Sequence, residues 1–235
     1  VDASVSDAYN SEGYWDQLSI RGYTLDNRYN YRRDGLPINA ETSIPLDNKE
    51  RLEIFRGTSG IQAGTSSPGG LANYVVKRPT QAPIRTATLG WRSRASWLGA
   101  VDLSQRFGAN EAFGLRINAA YEALAPRIRD LDGHRRMLAV AGDWRVDRDT
   151  LVEAEIETSR RTQRSQPAFS ALGSVIPAPG DPNINLNNQP WSQPNVLDAA
   201  TGSLRVTRRV HTDWQVKLHA ARQSLRSDDR LAFPL

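Results

Sequence analysis

The side chains most often used for metal or nucleophilic chemistry are scarce in this chain of 235 residues. It has no cysteine, and its three histidines are His134, His211 and His219. None of the three has a partner at metal-ligand spacing. Structural roles suit His134, where a loop meets a strand, and His211, in a turn. Gly57, Gly60, Gly64, Gly69 and Gly70 could suggest a phosphate cradle, but no Gly-Lys-Ser/Thr follows them. Turns that need positive φ or close backbone approach explain these glycines better. Asp181-Pro-Asn-Ile-Asn185 imitates the start of a calcium loop, yet Leu186 and Ser192 stand where glycine and glutamate are required. With no nucleophile–base pair and no metal cluster in view, the expectation is a protein that is not an enzyme.

The elements must therefore position surfaces rather than a reaction centre. Formal net charge is +4 and the pI about 9.6, carried almost wholly by arginine, since Lys49, Lys77 and Lys217 are the only lysines. Arginines alternate with acids in Arg127-Ile-Arg-Asp-Leu-Asp132 and Arg145-Val-Asp-Arg-Asp149, so no basic stripe tracks a phosphate backbone and no nucleic-acid partner is expected. Mean hydropathy is −0.55 and no apolar run approaches the roughly 20 residues of a spanning helix. The chain opens Val-Asp-Ala without a leader pattern, which reads as a processed protein or an excerpt.

The grammar changes near Pro79–Pro83. Before it the chain is rich in Gly, Asn and Ser, with brief strands at Leu18–Tyr23, Leu52–Phe55 and Leu71–Lys77 and a tight-turn signal at Asp34-Gly35. This reads as a compact α+β module of about 80 residues. After it, apolar and polar residues alternate with period two. Val152, Ala154 and Ile156 oppose Glu153, Glu155 and Glu157. Leu115, Ile117 and Tyr121 oppose Arg116, Asn118 and Glu122, and Trp214, Val216 and Leu218 oppose Gln215, Lys217 and His219. Seven strands are expected, at about 84–92, 95–107, 112–123, 135–146, 149–160, 200–210 and 213–225.

Connections near 108–111, 147–148 and 211–212 are short, whereas 124–134 and 161–199 are long. Only the hairpin at 93–94 departs from this pattern. Tight turns at one rim and long loops at the other are the layout of an antiparallel transmembrane β-barrel. Trp91, Trp97, Phe107, Tyr121, Trp144 and Trp214 lie mostly at strand ends on the apolar face, as an interfacial girdle requires. A soluble sandwich is the competing reading, but strands of about ten residues exceed the usual soluble length. Seven strands cannot close an even-numbered barrel, so the barrel is expected to continue past Leu235.

Glu50-Arg-Leu-Glu-Ile-Phe-Arg-Gly through Ser67-Pro-Gly-Gly-Leu-Ala-Asn-Tyr-Val-Val-Lys-Arg-Pro-Thr80 closely resembles the plug domain of TonB-dependent outer-membrane receptors. Ser19-Ile-Arg-Gly-Tyr23 and Arg33-Asp-Gly-Leu-Pro37 resemble two earlier plug motifs in the right order, and the later strands resemble the start of that family's 22-stranded barrel. The resemblance implies residues 1–80 as a plug lacking its first part and 84–235 as about seven barrel strands with a long outer loop at about 161–199. The missing parts include the secretion signal and energy-coupling box before Val1 and about two thirds of the barrel after Leu235.

Ser67–Asn73, Val76–Thr80 and Asn187-Asn-Gln-Pro-Trp191 look most like the ferric-siderophore branch. That branch implies uptake driven by TonB with ExbB and ExbD, seating in outer-membrane lipid, and no cofactor beyond the iron of a bound ferric siderophore. Cobalamin, haem or glycan cargo, or a signalling receptor, are the alternatives.

The resemblance also assigns residues. Arg21 and Arg56 match plug arginines that pair with barrel glutamates, expected here in strands after Leu235. Bidentate guanidinium–carboxylate bonds suit a contact that must hold firmly yet separate under load. Cargo binding falls to plug apices and outer-loop walls. Aromatic and cationic groups there suit an anionic or catecholate iron chelate: Tyr9, Tyr14, Trp15, Arg28, Tyr29 and Tyr31 in the plug, and Arg160, Arg161, Arg164, Phe169 and Trp191 in the outer loop.

Overall fold

The computed structural model describes residues 5–8, 13–57, 68–92, 94–166, 180–185 and 190–230. The period-two half forms one sheet. β8 (Ile84–Arg92), β9 (Ser96–Phe107), β10 (Phe113–Leu124), β11 (Gly133–Arg145), β12 (Thr150–Gln163), β13 (Asn195–His211) and β14 (Trp214–Asp228) follow the chain in space, every neighbour antiparallel. A single 3-10 turn at Ala109–Glu111 joins β9 to β10.

The alternation survives as two different faces. Glu153, Glu155 and Glu157 of β12 are buried while Ala154, Ile156 and Thr158 between them are exposed. Leu89 is 90% exposed and Ile156 64%, so the apolar face lies uncovered and the polar face is the one that packs. A water-soluble sandwich would show the reverse. Aromatics mark both ends of the bare face. Trp91 and Trp97 sit 6.4 Å apart at one end, while Phe107, Phe113 and Trp144 stack in a row at 5.8 and 5.7 Å at the other. Along β10 these levels are set by Ala123, opposite Trp97, and Phe113, opposite Phe107. Ten residues at ~3.4 Å, tilted by ~45°, give a height of about 24 Å, matching the ~25 Å apolar band of an outer-membrane barrel.

Two ends differ from the expectation. β13 begins at Asn195 rather than 200, and β12 runs to Gln163. Asn195-Val-Leu-Asp198 hides its alternation because Leu197 is an inward residue, only 5% exposed. The long connection therefore spans 164–194.

The N-terminal half packs on the concave, polar side. Its strands are β1 (Val5–Asp7), β2 (Leu18–Ile20), β3 (Tyr23–Thr24), β4 (Tyr31–Arg33), β5 (Leu36–Pro37), β6 (Lys49–Arg56) and β7 (Gly70–Val76). They form a β1-β2-β3 sheet and a β5-β4-β7-β6 sheet in which β4 and β7 run parallel. Ile20, Leu25, Tyr31, Ile38, Ala40, Ala72 and Tyr74 close the core between them. No α-helix occurs among the described residues, so the helical part of the expected α+β module is not found there. The Asp34-Gly35 turn is as expected, with φ 48° and 88°.

Candidate functional site

Three glutamates on one strand face need cations, and the stretch of β12 between them supplies none. They come from the N-terminal half. β4 turns Arg33 onto β12, where Nε donates to Glu155 at 2.9 Å and Nη2 donates to Glu157 at 2.8 Å. The first residue of β6 brings Lys49 Nζ to Glu157 at 2.7 Å, and Asn48 Nδ2 donates to the same oxygen at 2.5 Å. Arg78, just after β7, pairs with Asp34 and comes within 3.6 Å of Glu155 and 3.8 Å of Glu153. Arg205 of β13 completes the set, holding Glu153 through two bonds of 2.6 and 2.5 Å.

The carboxylates Asp34, Glu153, Glu155 and Glu157 thus face Arg33, Lys49, Arg78 and Arg205, a balanced set. Side-chain exposure is 7% at Arg33, 2% at Lys49 and 1% at Glu155. Burial pulls the Lys49 amine down to about 8, against the attraction of Glu157. At Arg33 burial also opposes the charge, but Glu157 and Glu155 outweigh it and raise the guanidinium. Arg78 Nε and Nη1 and Glu155 Oε2 have no hydrogen-bond partner. The seam is charge-balanced without being fully hydrogen-bonded.

Further contacts extend it along the wall. Arg135 of β11 grips Asp47 at 2.6 and 3.3 Å and Glu122 at 2.6 Å. Lys77 Nζ reaches Asp102 at 2.9 Å, and Arg116 Nη1 donates to the Arg78 carbonyl at 2.9 Å. Gln223 and Asn39 exchange two bonds of 3.0 Å.

Residues 2–71 match the family described as TonB-dependent Receptor Plug Domain. The chain carries a TonB-dependent receptor plug domain. It is 26% identical over 223 residues to the ferrichrome receptor FcuA of Yersinia enterocolitica, covering 92% of this chain and 29% of that protein. It is 28% identical to the ferrichrome outer membrane transporter/phage receptor of Escherichia coli K12, covering 58% of this chain and 19% of the relative. The chain thus spans less than a third of the length of these curated relatives. In fold it matches the crystal structure of BauA, the ferric preacinetobactin receptor of Acinetobacter baumannii, with a TM-score of 0.82 at 22% identity, over 96% of this chain and 34% of that one. The Escherichia coli relative is by name an outer membrane transporter, and the bare face of the β8–β14 sheet is the lipid-facing wall of such a barrel.

The plug's upper end abuts the rim that carries the long loops. Gly13, with φ 75°, presses so closely on the wall that a Cβ would lie 2.0 Å from the Arg164 carbonyl oxygen, and Asn195 Nδ2 donates to the Gly13 carbonyl at 3.3 Å. Next to it Tyr14 and Trp15 are half-buried with ring centroids 4.4 Å apart. Arg161 donates to Ser43 at 3.4 Å and to Gln163 at 3.0 and 2.6 Å, and lies 3.9 Å from Asp16. Burial pushes the Asp16 carboxyl up, with Arg161 opposing. Arg28 lies 5.4 Å over the Tyr29 ring, both exposed. Arg164 is half-buried at the loop's start, and Trp191 is exposed near its end.

Several expectations move. Tyr31 belongs to the plug core at 1% exposure, its hydroxyl accepting the Leu18 N–H at 2.8 Å, so it does not face cargo. Burial pushes its phenol up to about 12. Arg160 and Arg161 lie on β12, not in the loop, and by the strand's period Arg160 points to the lipid side, beside Asp198 at 3.6 Å. Arg21, exposed at the β2–β3 turn with φ 52°, and Arg56, exposed at the end of β6, are not among the seam cations, and their expected pairing with later barrel strands stays a proposal. Tyr9 and Phe169 lie outside the described residues. The seam cations Arg33, Lys49 and Arg78 escaped sequence reasoning. The signal was Glu153-x-Glu-x-Glu157, three acids sharing an inward strand face with no basic residue between them.

Proposed function

We infer that this chain is the plug, residues 1–80, and the first barrel wall, 84–235, of a receptor that takes ferric siderophores across the outer membrane. TonB, with ExbB and ExbD, supplies the energy, and the protein performs no catalysis of its own. The observation that carries this reading is the ferrichrome receptor aligned over 92% of the chain. The seam fits it physically. A plug held by buried charge pairs is fixed while docked, yet each group regains water when the faces part, so separation leaves no bare apolar surface.

Cargo is assigned to the aromatic and cationic apex: Tyr14, Trp15, Arg28 and Tyr29 on the plug, with Arg161, Arg164 and Trp191 on the facing wall; Tyr9 and Phe169 are proposed as further contacts on sequence grounds alone. Iron is cargo, carried inside an anionic chelate that stacks on these rings and is drawn by these cations.

The test is tryptophan fluorescence of the full-length receptor in detergent, titrated with ferric catecholate and ferric hydroxamate siderophores and with cobalamin. Saturable quenching by one ferric siderophore, reduced in Trp15→Ala, is expected. Quenching by cobalamin alone would overturn the iron reading.

A further inference from the structure

One acid stands among the rings and cations of the apex. Asp16 follows Trp15 in the stretch from Gly13 to β2, and 47% of its side chain stays open to solvent. Arg161 faces it from β12 with its guanidinium already oriented. Nε and Nη2 both donate to Gln163 Oε1, at 3.0 and 2.6 Å. Gln163 is 1% exposed and donates in turn to the Leu131 carbonyl at 3.0 Å.

The third nitrogen, Nη1, reaches across to the plug. It stands 3.4 Å from Ser43 Oγ and 3.9 Å from Asp16 Oδ1, while Ser43 donates to Asp16 Oδ2 at 3.4 Å. These contacts are long beside the seam's bonds of 2.9, 2.8 and 2.7 Å. Arg161 is thus held firmly from its own strand and loosely from the plug. An oxygen of an anionic chelate that approaches Nη1 meets Asp16 at the same place. With Asp16 ionised, a repelling charge lies about as near that oxygen as the attracting one, and the two largely cancel.

We propose that Asp16 is the charge-selecting residue of the apex: as an anionic chelate oxygen enters between it and Arg161, Asp16 takes one proton from bulk water and turns from a repelling carboxylate into a hydrogen-bond donor. This deepens the siderophore reading and rests on it. Burial already pushes this carboxyl up; Arg161 opposes, Asp7 of β1 adds to the rise, and Ser43 and the Ile44 backbone oppose. The nearby phenols of Tyr31 on β4 and Tyr74 on β7 are themselves pushed up by burial and stay neutral. The chelate's own charge raises Asp16 further. Asp16 then holds its proton more tightly with cargo than without. Affinity for an anionic chelate therefore rises as pH falls, and levels off below the pH at which the empty receptor's Asp16 titrates. An uncharged chelate leaves Asp16 unchanged and binds without a proton.

The experiment is isothermal titration calorimetry of the full-length receptor in detergent, in two buffers of different ionisation enthalpy. The probes are a multiply anionic ferric tris-catecholate and an uncharged ferric tris-hydroxamate. The wild type is expected to take up about one proton more than Asp16→Asn on binding the catecholate, and to bind it at least fivefold tighter at about pH 6 than at about pH 8. Protonation of the chelate itself appears equally in both proteins, so the difference belongs to Asp16. Asp16→Asn should bind the catecholate at least fivefold tighter than wild type at about pH 8 and keep the wild-type unfolding midpoint. Asp7→Asn should keep the wild-type proton uptake. Equal uptake in wild type and Asp16→Asn, uptake lost in Asp7→Asn instead, or binding of the uncharged chelate alone would overturn this role while leaving the receptor reading intact. Binding of neither ferric chelate, at either pH and in every variant, would overturn the siderophore reading itself and this role with it.

Discussion

Glu157→Gln isolates the seam. The carboxylate is 5% exposed and accepts from Arg33 at 2.8 Å, Lys49 at 2.7 Å and Asn48 at 2.5 Å. The amide keeps the volume and removes the charge, leaving two buried cations to share Glu155. Removing one member of a buried ion set costs about 3–5 kcal/mol. With ~1.4 kcal/mol per tenfold, plug opening should become about two to three and a half decades more populated. Hydrogen exchange of the full-length receptor at pH 7 reads this directly, through the β6 and β7 amides, while β9–β11 amides stay slow. Adding Lys49→Met restores equal numbers of cations and acids in the set, so the double variant should recover part of the loss rather than add to it. Acceleration below about threefold in Glu157→Gln, or simple additivity in the pair, would refute the claim that these charges hold the plug.

Three further outcomes follow from other parts of the molecule. Lys49 is held near 8 when docked, whereas an unfolded lysine keeps its proton to about 10.4. Between those values the folded plug binds fewer protons, so its unfolding free energy from urea titrations should rise with pH by up to about 3 kcal/mol from this group, and Lys49→Met should abolish the rise. Ile156→Arg, on the bare face near mid-strand, should cost the barrel about 2–4 kcal/mol in reversible folding into bilayers. Gly70 has φ 118° and a Cβ there would sit 1.8 Å from the Phe55 carbonyl oxygen, so Gly70→Ala should break the start of β6–β7 pairing and lower plug stability by at least about 2 kcal/mol, seen as protease cleavage within β6.

The barrel wall was legible because lipid on one side and a polar lumen on the other write period two into every strand. The signal dims where inward residues are apolar, as at Leu197, and there the strand end was misplaced. Plug strands of two or three residues carry no such period, so Tyr31, an aromatic between polar neighbours, read as surface although it closes the core. The seam was hidden for another reason. Arg33 and Glu155 are 122 residues apart, and neither carries a local sign of the other. Charge interleaving described exposed turns such as 145–149 well, but it could not distinguish them from Arg116 and Arg106, whose acids lie across a buried surface.

Only seven residues, 77–83, separate the last plug strand from β8. They are themselves fastened: Lys77 to Asp102, the Arg78 carbonyl to Arg116, and the Thr80 N–H to Ser104 at 2.9 Å. Fully drawn out at ~3.5 Å per residue they reach roughly 25 Å, which sets how far Val76 can travel from the barrel wall. A displaced plug therefore stays on a short leash. Its return is an intramolecular encounter at an effective concentration on the order of millimolar, so the charge pairs need not find one another by diffusion. On the proposed transport function, opening the lumen is then a repeatable stroke rather than a release, with the stroke length set by those seven residues.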